Sequence, residues 1–215
     1  MAERNLILWR HGRTQWNKEQ RFQGQTDVPL DEIGIAQAQR AAQLLQHLGP
    51  HRLVSSDLQR AHKTAEELAR LTNLEIELDQ DFRETAHGEW EGLTYSQLLE
   101  KYGDTYHRWS AGTEIRPGDT GETRIEVASR MVRGIHRHLP KINDGETIVV
   151  ATHGGAARAA VAQLLELPKN LWGNLGILSN CSWVVLQEIP GLDSKWRLVE
   201  YNSGSLPLPA FSDDR

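Results

Sequence analysis

The chain has 215 residues, of which 39% are hydrophobic and 25% are charged, so its composition is that of a globular protein and excludes an extended disordered chain. Its net charge of −5 argues against a nucleic-acid-binding protein, because such proteins are usually basic. Cys181 is the single cysteine, which excludes an internal disulfide and predicts a cytoplasmic location, where thiols stay reduced.

The first predicted element is a buried strand over residues 4–9, which ends in Arg10-His11-Gly12. In open parallel sheets, ligands bind at the carboxyl ends of the strands. Gly12 leaves room for a ligand beside the backbone, and Arg10 and Arg13 offer cationic forks that suit a dianion. His11 is therefore a candidate nucleophile for phosphoryl groups, although an ordinary strand-to-turn junction would explain the same tripeptide.

Residues 12–31 carry turn residues without clear periodicity and predict a long functional loop. Apolar residues at helical spacing then predict a helix over 32–48, which Gly49-Pro50 would end. A short strand is predicted at 52–54. Ser55, Ser56 or Asp57 is expected to cap a second helix, whose inner face would hold Ala61, Ala65, Leu68 and Leu71.

The middle of the chain combines a short strand, an acidic loop and two helices. Residues 74–78 alternate apolar and acidic side chains, as a half-buried strand does. Loop 80–93 follows and contains Glu84. The polar, glycine-rich stretch 103–121 is interpreted as an insertion or lid, between helices predicted at about 94–102 and 122–139.

The last third begins with the most regular strand, 147–151, which is apolar without alternation, as expected when both faces are covered. It ends in Thr152-His153-Gly154 and leads into an alanine-rich helix at 156–165. Two further strands are predicted at 182–188 and 196–201, and the pair is interpreted as an antiparallel hairpin at the edge of the sheet.

Strands alternate with helices throughout, and no repeat or linker interrupts them. This order predicts an α/β fold in one domain over 1–215, a three-layer α/β/α sandwich around a mostly parallel sheet with an antiparallel edge strand. Residues 94–121 would form a lid-like insertion. The tail 206–215 is expected to be irregular.

Two strands of this sheet end in His-Gly, so His11 and His153 are expected at the same edge and in one crevice. A third strand end, 55–60, supplies a helix N-terminus, which favours anions. Arg60 lies about one turn into that helix. Taken singly, Arg60 is also explained as an exposed helix arginine and His153 as a core histidine. Together with Arg10 and His11, the two residues favour a shared phosphate site.

Several motifs in a fixed order resemble the histidine phosphatase superfamily, in its phosphoglycerate-mutase-like branch. The resemblance covers about residues 4–160, with weaker similarity beyond. The motifs that carry it are Arg10-His11-Gly12-Arg13-Thr14, Trp16-Asn17, Arg21-Phe22-Gln23-Gly24-Gln25-Thr26-Asp27-Val28-Pro29-Leu30, Ser55-Ser56-Asp57-Leu58-Gln59-Arg60-Ala61, Arg83-Glu84, Gly88-Glu89-Trp90-Glu91-Gly92-Leu93-Thr94 and Thr152-His153-Gly154.

The resemblance implies that His11 is phosphorylated and that Glu84 is the proton donor. Neighbouring arginines lower the pKa of a histidine and keep it neutral and nucleophilic. Glu84 must carry a proton to protonate the leaving alkoxide, so Arg83 is expected to point elsewhere. Without the family, a solvated loop acid is the favoured explanation of Glu84. The residues implied to hold the phosphate are Arg10, Arg60 and His153, with Asn17 and Gln23 nearby.

The function that this resemblance implies is a phosphatase of small phosphorylated metabolites that needs no metal and no cofactor. The alternative is a phosphoglycerate mutase, which returns the phosphoryl group to a second hydroxyl. Mutases of this branch resemble longer chains with an arginine-rich lid, whereas 103–121 offers only Arg108 and Arg116, and Gln23 is more similar to the phosphatases. A non-catalytic phospholigand-binding relative would not need both histidines and Glu84.

The substrate pocket would be walled by loop 15–30 and by 102–123, a mixture that suits a second anionic group or sugar hydroxyls. Gly121-Glu122-Thr123, Asn180-Cys181-Ser182-Trp183 and Trp196-Arg197-Leu198 are similar to an actinobacterial subgroup that removes phosphate from glucosyl-3-phosphoglycerate. Alpha-ribazole phosphate and generic sugar phosphates are the competing substrates. The candidates for substrate binding are Asn17, Gln23, Gly24, Tyr95, His107, Arg108, Glu122 and Gly154.

No other partner is indicated by the sequence. The first apolar run stops at Arg10, too soon for a signal peptide. The uncharged stretch 171–187 is interrupted by glycine and asparagine and predicts a loop and a strand, not a membrane span. His47 and His51 have metal-pair spacing, but Gly49-Pro50 breaks the helix between them. An exposed late edge strand invites pairing, so a homodimer is a further hypothesis.

Overall fold

The fold is built on a six-stranded sheet. The computed structural model describes residues 3–189, 191 and 195–204. Its strands are β1 (Asn5–Arg10), β2 (Pro50–Ser55), β3 (Ile76–Leu78), β4 (Thr147–Thr152), β5 (Trp183–Glu188) and β6 (Trp196–Ser203). Its α-helices are α1 (Gln15–Glu19), α2 (Glu32–Leu45), α3 (Gln59–Thr72), α4 (Tyr95–Ser110), α5 (Arg124–His138) and α6 (Gly154–Leu164). Short 3-10 turns lie at Gln46–Leu48, Gln80–Phe82, Gly88–Trp90, Leu139–Lys141 and Lys169–Asn174.

The strand order is β3-β2-β4-β1-β5-β6. β1, β2, β3 and β4 are parallel to one another, whereas β5 runs antiparallel to β1 and β6 antiparallel to β5. The predicted mostly parallel sheet with an antiparallel hairpin at its edge is therefore confirmed. β1 and β4 are neighbours, and Arg10 pairs in register with Thr152, so the residues that follow them leave the sheet side by side.

Helices cover both faces of the sheet, which gives the predicted three layers. β1 alternates between them, because Leu6 and Leu8 join the core under α5 and α6 while Ile7 and Trp9 join the core under α2 and α3. All six residues of β4 are buried. A strand covered on both faces needs apolar residues without alternation, which is the pattern that 147–151 carries.

A third cluster lies outside the sheet, where α4 packs on the loops that follow α1 and precede α4. Its buried members are Phe22, Trp90, Leu98, Tyr106 and Trp109. The prediction of a helix ending near 102 was wrong, because α4 continues to Ser110 with only a kink at Tyr102. Burial of Tyr106 and Trp109 stabilises the second half of the helix despite its polar composition. Residues 111–121 remain turn-rich and irregular.

The predicted loop 12–31 contains the short helix α1. Thr14 caps it, since its hydroxyl accepts from the Asn17 N–H and the Asn17 side chain accepts from the Thr14 N–H. Gln20 ends the helix in the left-handed conformation, with φ 55°. A five-residue helix is too short to show periodicity in the sequence, but this reciprocal cap is a local signal that marks its start.

The start of α3 differs from the prediction. Its N-cap is Leu58, not Ser55, Ser56 or Asp57, and no side chain of the N-cap residue bonds there. Instead, the Gln59 N–H donates to the Asp27 carboxylate at 2.8 Å. The anion at this helix N-terminus is thus a side chain of the protein.

The inner face of α3 is one residue shorter than predicted. Ala61, Ala65 and Leu68 are buried, whereas Leu71 is 44% exposed near the end of the helix. The other predicted elements are confirmed within a few residues. The predicted tail 206–215 lies outside the described residues. Across the described ranges, no helix is both long and apolar enough to cross a bilayer.

Candidate active site

The pairing of β1 with β4 brings the two predicted histidines together. The His11 N–H donates to the Thr152 carbonyl at 3.0 Å. The rings of His11 and His153 meet edge to face, with centroids 5.1 Å apart and planes at 62°. Both side chains are buried. The prediction that the two strand ends bring these histidines together is confirmed by the contact between their rings.

The protonation state of His11 follows from its hydrogen bond and its charges. Its Nδ1 lies 2.7 Å from the Gly12 carbonyl, an acceptor, so Nδ1 carries the hydrogen and Nε2 keeps a free lone pair. Burial, followed by the positive charges of Arg60 and Arg10, lowers the pKa of His11 well below its usual range, against a smaller rise from the Gly12 bond. His11 is therefore a neutral imidazole with Nε2 available as nucleophile.

His153 is held by Ser56, whose hydroxyl lies 2.9 Å from Nε2. Burial lowers the pKa of His153 well below its usual range, helped by the positive charges of Arg60, Arg130 and Arg10. Its Nδ1 is buried and has no hydrogen-bond partner among the residues described. Buried polar atoms usually have a partner, so this nitrogen is available to bind a ligand.

Two buried arginines supply the positive charge. Arg60 donates to the carbonyls of Thr26 and Gly24 at 2.8 and 2.7 Å. Arg10 donates from Nη1 to the Leu178 carbonyl, and its buried Nε has no partner within the described ranges. Carbonyl oxygens orient a guanidinium without cancelling its charge. The pair can therefore receive the oxygens of a phosphoryl group, which bind guanidinium forks well.

Asn17 and Gln23 join the same centre through Thr14. The Asn17 Oδ1 accepts from the Thr14 N–H at 3.1 Å and from Asn180 Nδ2 at 3.3 Å. This fixes the amide with its Nδ2 buried and, over the described chain, without a partner. The Thr14 hydroxyl donates to Gln23 Oε1 at 2.9 Å. The geometry leaves the Asn17 amide as a further donor for a phosphoryl oxygen.

The side chain of Glu84 lies at the N-terminus of α6, the helix that directly follows His153. Its Oε1 accepts from the N–H groups of Thr85 and Ala156, both at 2.8 Å, and its Oε2 accepts from the Gly155 N–H at 3.1 Å. Backbone donors at a helix N-terminus stabilise an ionised carboxylate. Arg83 forms a bidentate pair with Asp57, in agreement with the expectation that it points away from Glu84.

Glu122, a candidate for substrate binding, instead binds the loop that carries Glu84. Its carboxylate receives Arg130 at 2.8 Å on each oxygen and the Ala86 N–H at 2.9 Å. Arg130 also donates to the carbonyls of Arg83 and Glu84. Burial raises the pKa of Glu122, but the hydrogen bonds and charge of Arg130, with the Ala86 N–H, outweigh it and hold that pKa below its usual value. Glu122 and Arg130 therefore clamp the backbone on both sides of Glu84.

Three glycines of the predicted site have structural roles. A Cβ on Gly12 would lie 2.3 Å from the Gly34 carbonyl, so this glycine allows α2 to approach. Gly24, with φ +51°, orients Arg60 through its carbonyl. A Cβ on Gly154 would lie 3.3 Å from Arg10 Nε, so this glycine makes space for the arginine.

The other predicted site residues have partners elsewhere or are exposed. Arg13 pairs with Asp31 at 2.8 Å and does not flank the phosphate site. Tyr95, 40% exposed, packs edge to face against Tyr106. His107 and Arg108 are exposed on α4. The substrate-binding roles of Tyr95, His107 and Arg108 stay predictions.

Four residues that support the site were given no role in it from the sequence. Thr64 accepts from the Gly12 N–H at 3.0 Å, and Asn180 donates to the His11 carbonyl at 3.1 Å. Ser56 holds His153. Glu91 accepts from the N–H groups of Gln25 and Thr26 and so fixes the loop that binds Arg60. Thr64, at i+4 from Arg60, was detectable as helix spacing, whereas the distant partners leave no such signal.

Comparison with known proteins places this geometry in a family. Residues 6–204 match the model described as histidine phosphatase superfamily (branch 1). A relative from Mycobacterium tuberculosis (strain ATCC 25618 / H37Rv), named glucosyl-3-phosphoglycerate phosphatase, is 36% identical over 95% of this chain and 97% of its own. A relative from Yersinia pestis (strain Pestoides F), named probable phosphoglycerate mutase, is 34% identical over 97% of both chains.

A solved structure is similar over the same extent. It is the mycobacterial glucosyl-3-phosphoglycerate phosphatase in complex with VO3, with a TM-score of 0.87 and 36% sequence identity. The match covers 93% of this chain and 98% of that chain.

Proposed function

The chain belongs to branch 1 of the histidine phosphatase superfamily, and on this premise we propose that it hydrolyses a small phosphorylated metabolite through a phosphohistidine at His11. One observation carries the proposal. His11 is buried and neutral, its Nε2 is unprotonated, and Arg10, Arg60 and His153 surround it. A neutral imidazole among positive donors is suited to attack a phosphoryl group.

In the first step, His11 Nε2 attacks phosphorus, the bond to the leaving oxygen breaks, and that oxygen takes a proton from Glu84. Arg10, Arg60 and His153 stabilise the charge on the phosphoryl oxygens. In the second step, water attacks phosphorus and gives a proton to Glu84 while the bond to His11 breaks. Inorganic phosphate leaves, and both side chains return to their starting states.

Glu84 must change protonation state during this cycle. Its three backbone N–H donors favour the ionised form, which is the base of the second step. The first step needs the protonated form. The approaching phosphate dianion favours that form, because a nearby like charge makes a carboxylate hold its proton. Substrate binding thus prepares the acid, and phosphoryl transfer to His11 leaves the base.

We propose glucosyl-3-phosphoglycerate as the substrate. The mycobacterial relatives that carry this name match 95% of this chain and 97% of their own, at 34–36% identity. The sequence segments that resemble this subgroup support the same choice. Competing substrates are alpha-ribazole phosphate and generic sugar phosphates.

A phosphoglycerate mutase is the second candidate. The Yersinia relative named as a probable mutase matches 97% of both chains, so chain length does not separate the two activities. The lid region favours the phosphatase. Arg116 is engaged with Glu126 at 2.8 Å, and Arg108 lies exposed on α4. A mutase needs cations that hold both ends of a bisphosphate, and the engagement of Arg116 with Glu126 supports the phosphatase instead.

The deciding experiment measures phosphate release from glucosyl-3-phosphoglycerate, 3-phosphoglycerate, alpha-ribazole phosphate and common sugar phosphates. A coupled mutase assay with catalytic 2,3-bisphosphoglycerate runs in parallel. We expect fast release from one ester, unchanged by a chelator because arginines supply the positive charge. Isomerisation of 3-phosphoglycerate without phosphate release would establish the mutase instead. Loss of activity with EDTA would require a metal.

We also propose that the protein acts in the cytoplasm as a single domain, with 94–121 as a cover over the site. Its one cysteine, Cys181, is buried and free, which suits a reducing compartment.

A homodimer through β6 is the proposed assembly, because β6 is an edge strand and exposes Val199 by 51%. Light scattering tests it: a Val199→Lys variant should be monomeric, and a monomeric wild type would contradict the proposal.

A further inference from the structure

A narrow cleft lies beside Glu84, between α6, the first residue of α5 and two tryptophans. We propose that this cleft binds a carboxylate on the leaving group of the substrate and that Arg158 is its main ligand. The inference rests on the proposed phosphatase function and deepens it. It assigns the substrate class as phosphate esters that carry a carboxylate close to the phosphorylated carbon.

The place of the cleft follows from the direction of the reaction. Thr85 and Gly155 line the cleft, and the N–H groups of both donate to Glu84. An acid must lie within hydrogen-bond distance of the oxygen that it protonates. In an in-line displacement that oxygen lies opposite the nucleophile, His11. The leaving group therefore departs on the Glu84 side, where the cleft begins.

Arg158 gives the cleft its charge. It follows Gly155 by three residues on α6, about 4.5 Å further along the helix axis, and so projects from the same side of the helix. Its side chain is partly buried. No carboxylate or carbonyl among the described residues forms an ion pair or hydrogen bond with it. Removing a guanidinium partly from water is costly without an anion, and the site lacks one from the protein.

The surroundings of Arg158 select for a small anion. Trp109 and Trp172 line the cleft and are 2% and 6% exposed. The guanidinium of Arg124 lies 4.6 Å above the ring of Trp109 and adds a second positive charge. Apolar walls reduce the screening of charge by water, and a guanidinium fork matches a planar carboxylate. A carboxylate is the planar small anion that meets both requirements.

The test compares two esters that differ at one group. 3-Phosphoglycerate carries a carboxylate where glycerol 3-phosphate carries a hydroxymethyl group. We expect wild type to prefer 3-phosphoglycerate and its glucosyl derivative. Arg158→Gln should raise KM for the carboxylate substrates roughly 10- to 100-fold, the range of one charged hydrogen bond, and should leave glycerol 3-phosphate hydrolysis nearly unchanged. Arg158→Lys, which keeps the charge without the fork, should fall between them.

Arg70→Gln is the matched control, since Arg70 is an exposed arginine on α3, in the opposite layer. This variant should leave KM unchanged for both substrates. Equal loss on both esters in Arg158→Gln would assign Arg158 a structural role and overturn the inference. A wild type that hydrolyses both esters equally well would overturn it while leaving the proposed function intact. A wild type that hydrolyses no phosphate ester would instead refute the proposed function, and the inference with it.

Discussion

At the scale of single residues, the site depends on keeping two histidines neutral in a positive environment. Burial disfavours the charged form of an imidazole, and adjacent guanidinium groups disfavour it further. For His11 both causes act together, with Arg60 and Arg10 as the charges. His153 shares this environment. The enzyme thus secures a nucleophile whose lone pair is available well below neutral pH, before substrate binds.

This arrangement links stability to pH. The folded state lowers the pKa of His11, whereas an unperturbed histidine titrates near 6.5. Below that pH the unfolded chain binds a proton that the folded chain does not, so the free energy of unfolding decreases as pH falls. In denaturant unfolding, the free energy of unfolding of His11→Gln should rise relative to that of wild type by up to about 1.4 kcal/mol for each pH unit below pH 6.5.

His47→Gln serves as the control for that series, because His47 is exposed. Its unfolding free energy should follow that of wild type across the same pH range. Parallel pH profiles for wild type and His11→Gln would contradict the lowered pKa of His11.

At the scale of elements, the Glu84 loop is held from two sides. The first turn of α6 binds the carboxylate, and Arg130 of α5 binds the backbone carbonyls of Arg83 and Glu84. Glu122 completes the second attachment by pairing with Arg130 and accepting from Ala86. The position of the proton donor is thus set by the packing of two helices and by one ion pair, both remote in sequence.

Glu122→Gln tests this clamp. The change removes the ion pair with Arg130, so the loop should move while the phosphate site stays intact. We expect kcat to fall roughly 10- to 100-fold, since small misplacement of a reacting group is costly, with KM little changed. The unfolding free energy should fall by about 1–3 kcal/mol, the cost of leaving a buried polar partner unpaired. Steady-state kinetics and denaturant unfolding measure both effects.

The matched control is Glu126→Gln, on the adjacent exposed pair with Arg116. Exposed pairs contribute little, so its effect on kcat and stability should be small. If Glu122→Gln instead raised KM and left kcat unchanged, Glu122 would contact substrate directly, as the sequence suggested.

At the scale of the whole molecule, sequence order predicted where the chemistry lies. Two strands end in His-Gly, and both belong to the parallel part of one sheet. Because β1 and β4 are neighbours in register, their two histidines lie side by side. What the sequence could not predict was which polar side chains pair between separate segments. Arg13 pairs with Asp31, and Thr26 donates a hydrogen bond to Glu91. Such pairs are decided by the tertiary fold, so an arginine next to the nucleophile was wrongly assigned to the phosphate.

The wrong helix predictions have the same origin. α4 continues through Gly103 because Tyr106 and Trp109 are buried against Phe22 and Trp90, contacts that local propensity does not contain. α3 is capped by Asp27, which lies far from it in sequence. The order of the motifs predicted which residues lie together where those residues follow strands of the sheet. It did not predict the contacts between loops that are distant in sequence.

The central claim is that the phosphoryl group passes through His11, and trapping it there is the most direct test. Because Glu84 serves both steps, wild type is mixed with substrate carrying radiolabelled phosphate and quenched in base within the first turnover, which should preserve a phosphoryl-enzyme. Peptide mapping by mass spectrometry should place one phosphoryl group on His11, and His11→Gln should show none. Steady phosphate release by wild type without any phosphoryl-His11, or with the label on His153, would contradict the account.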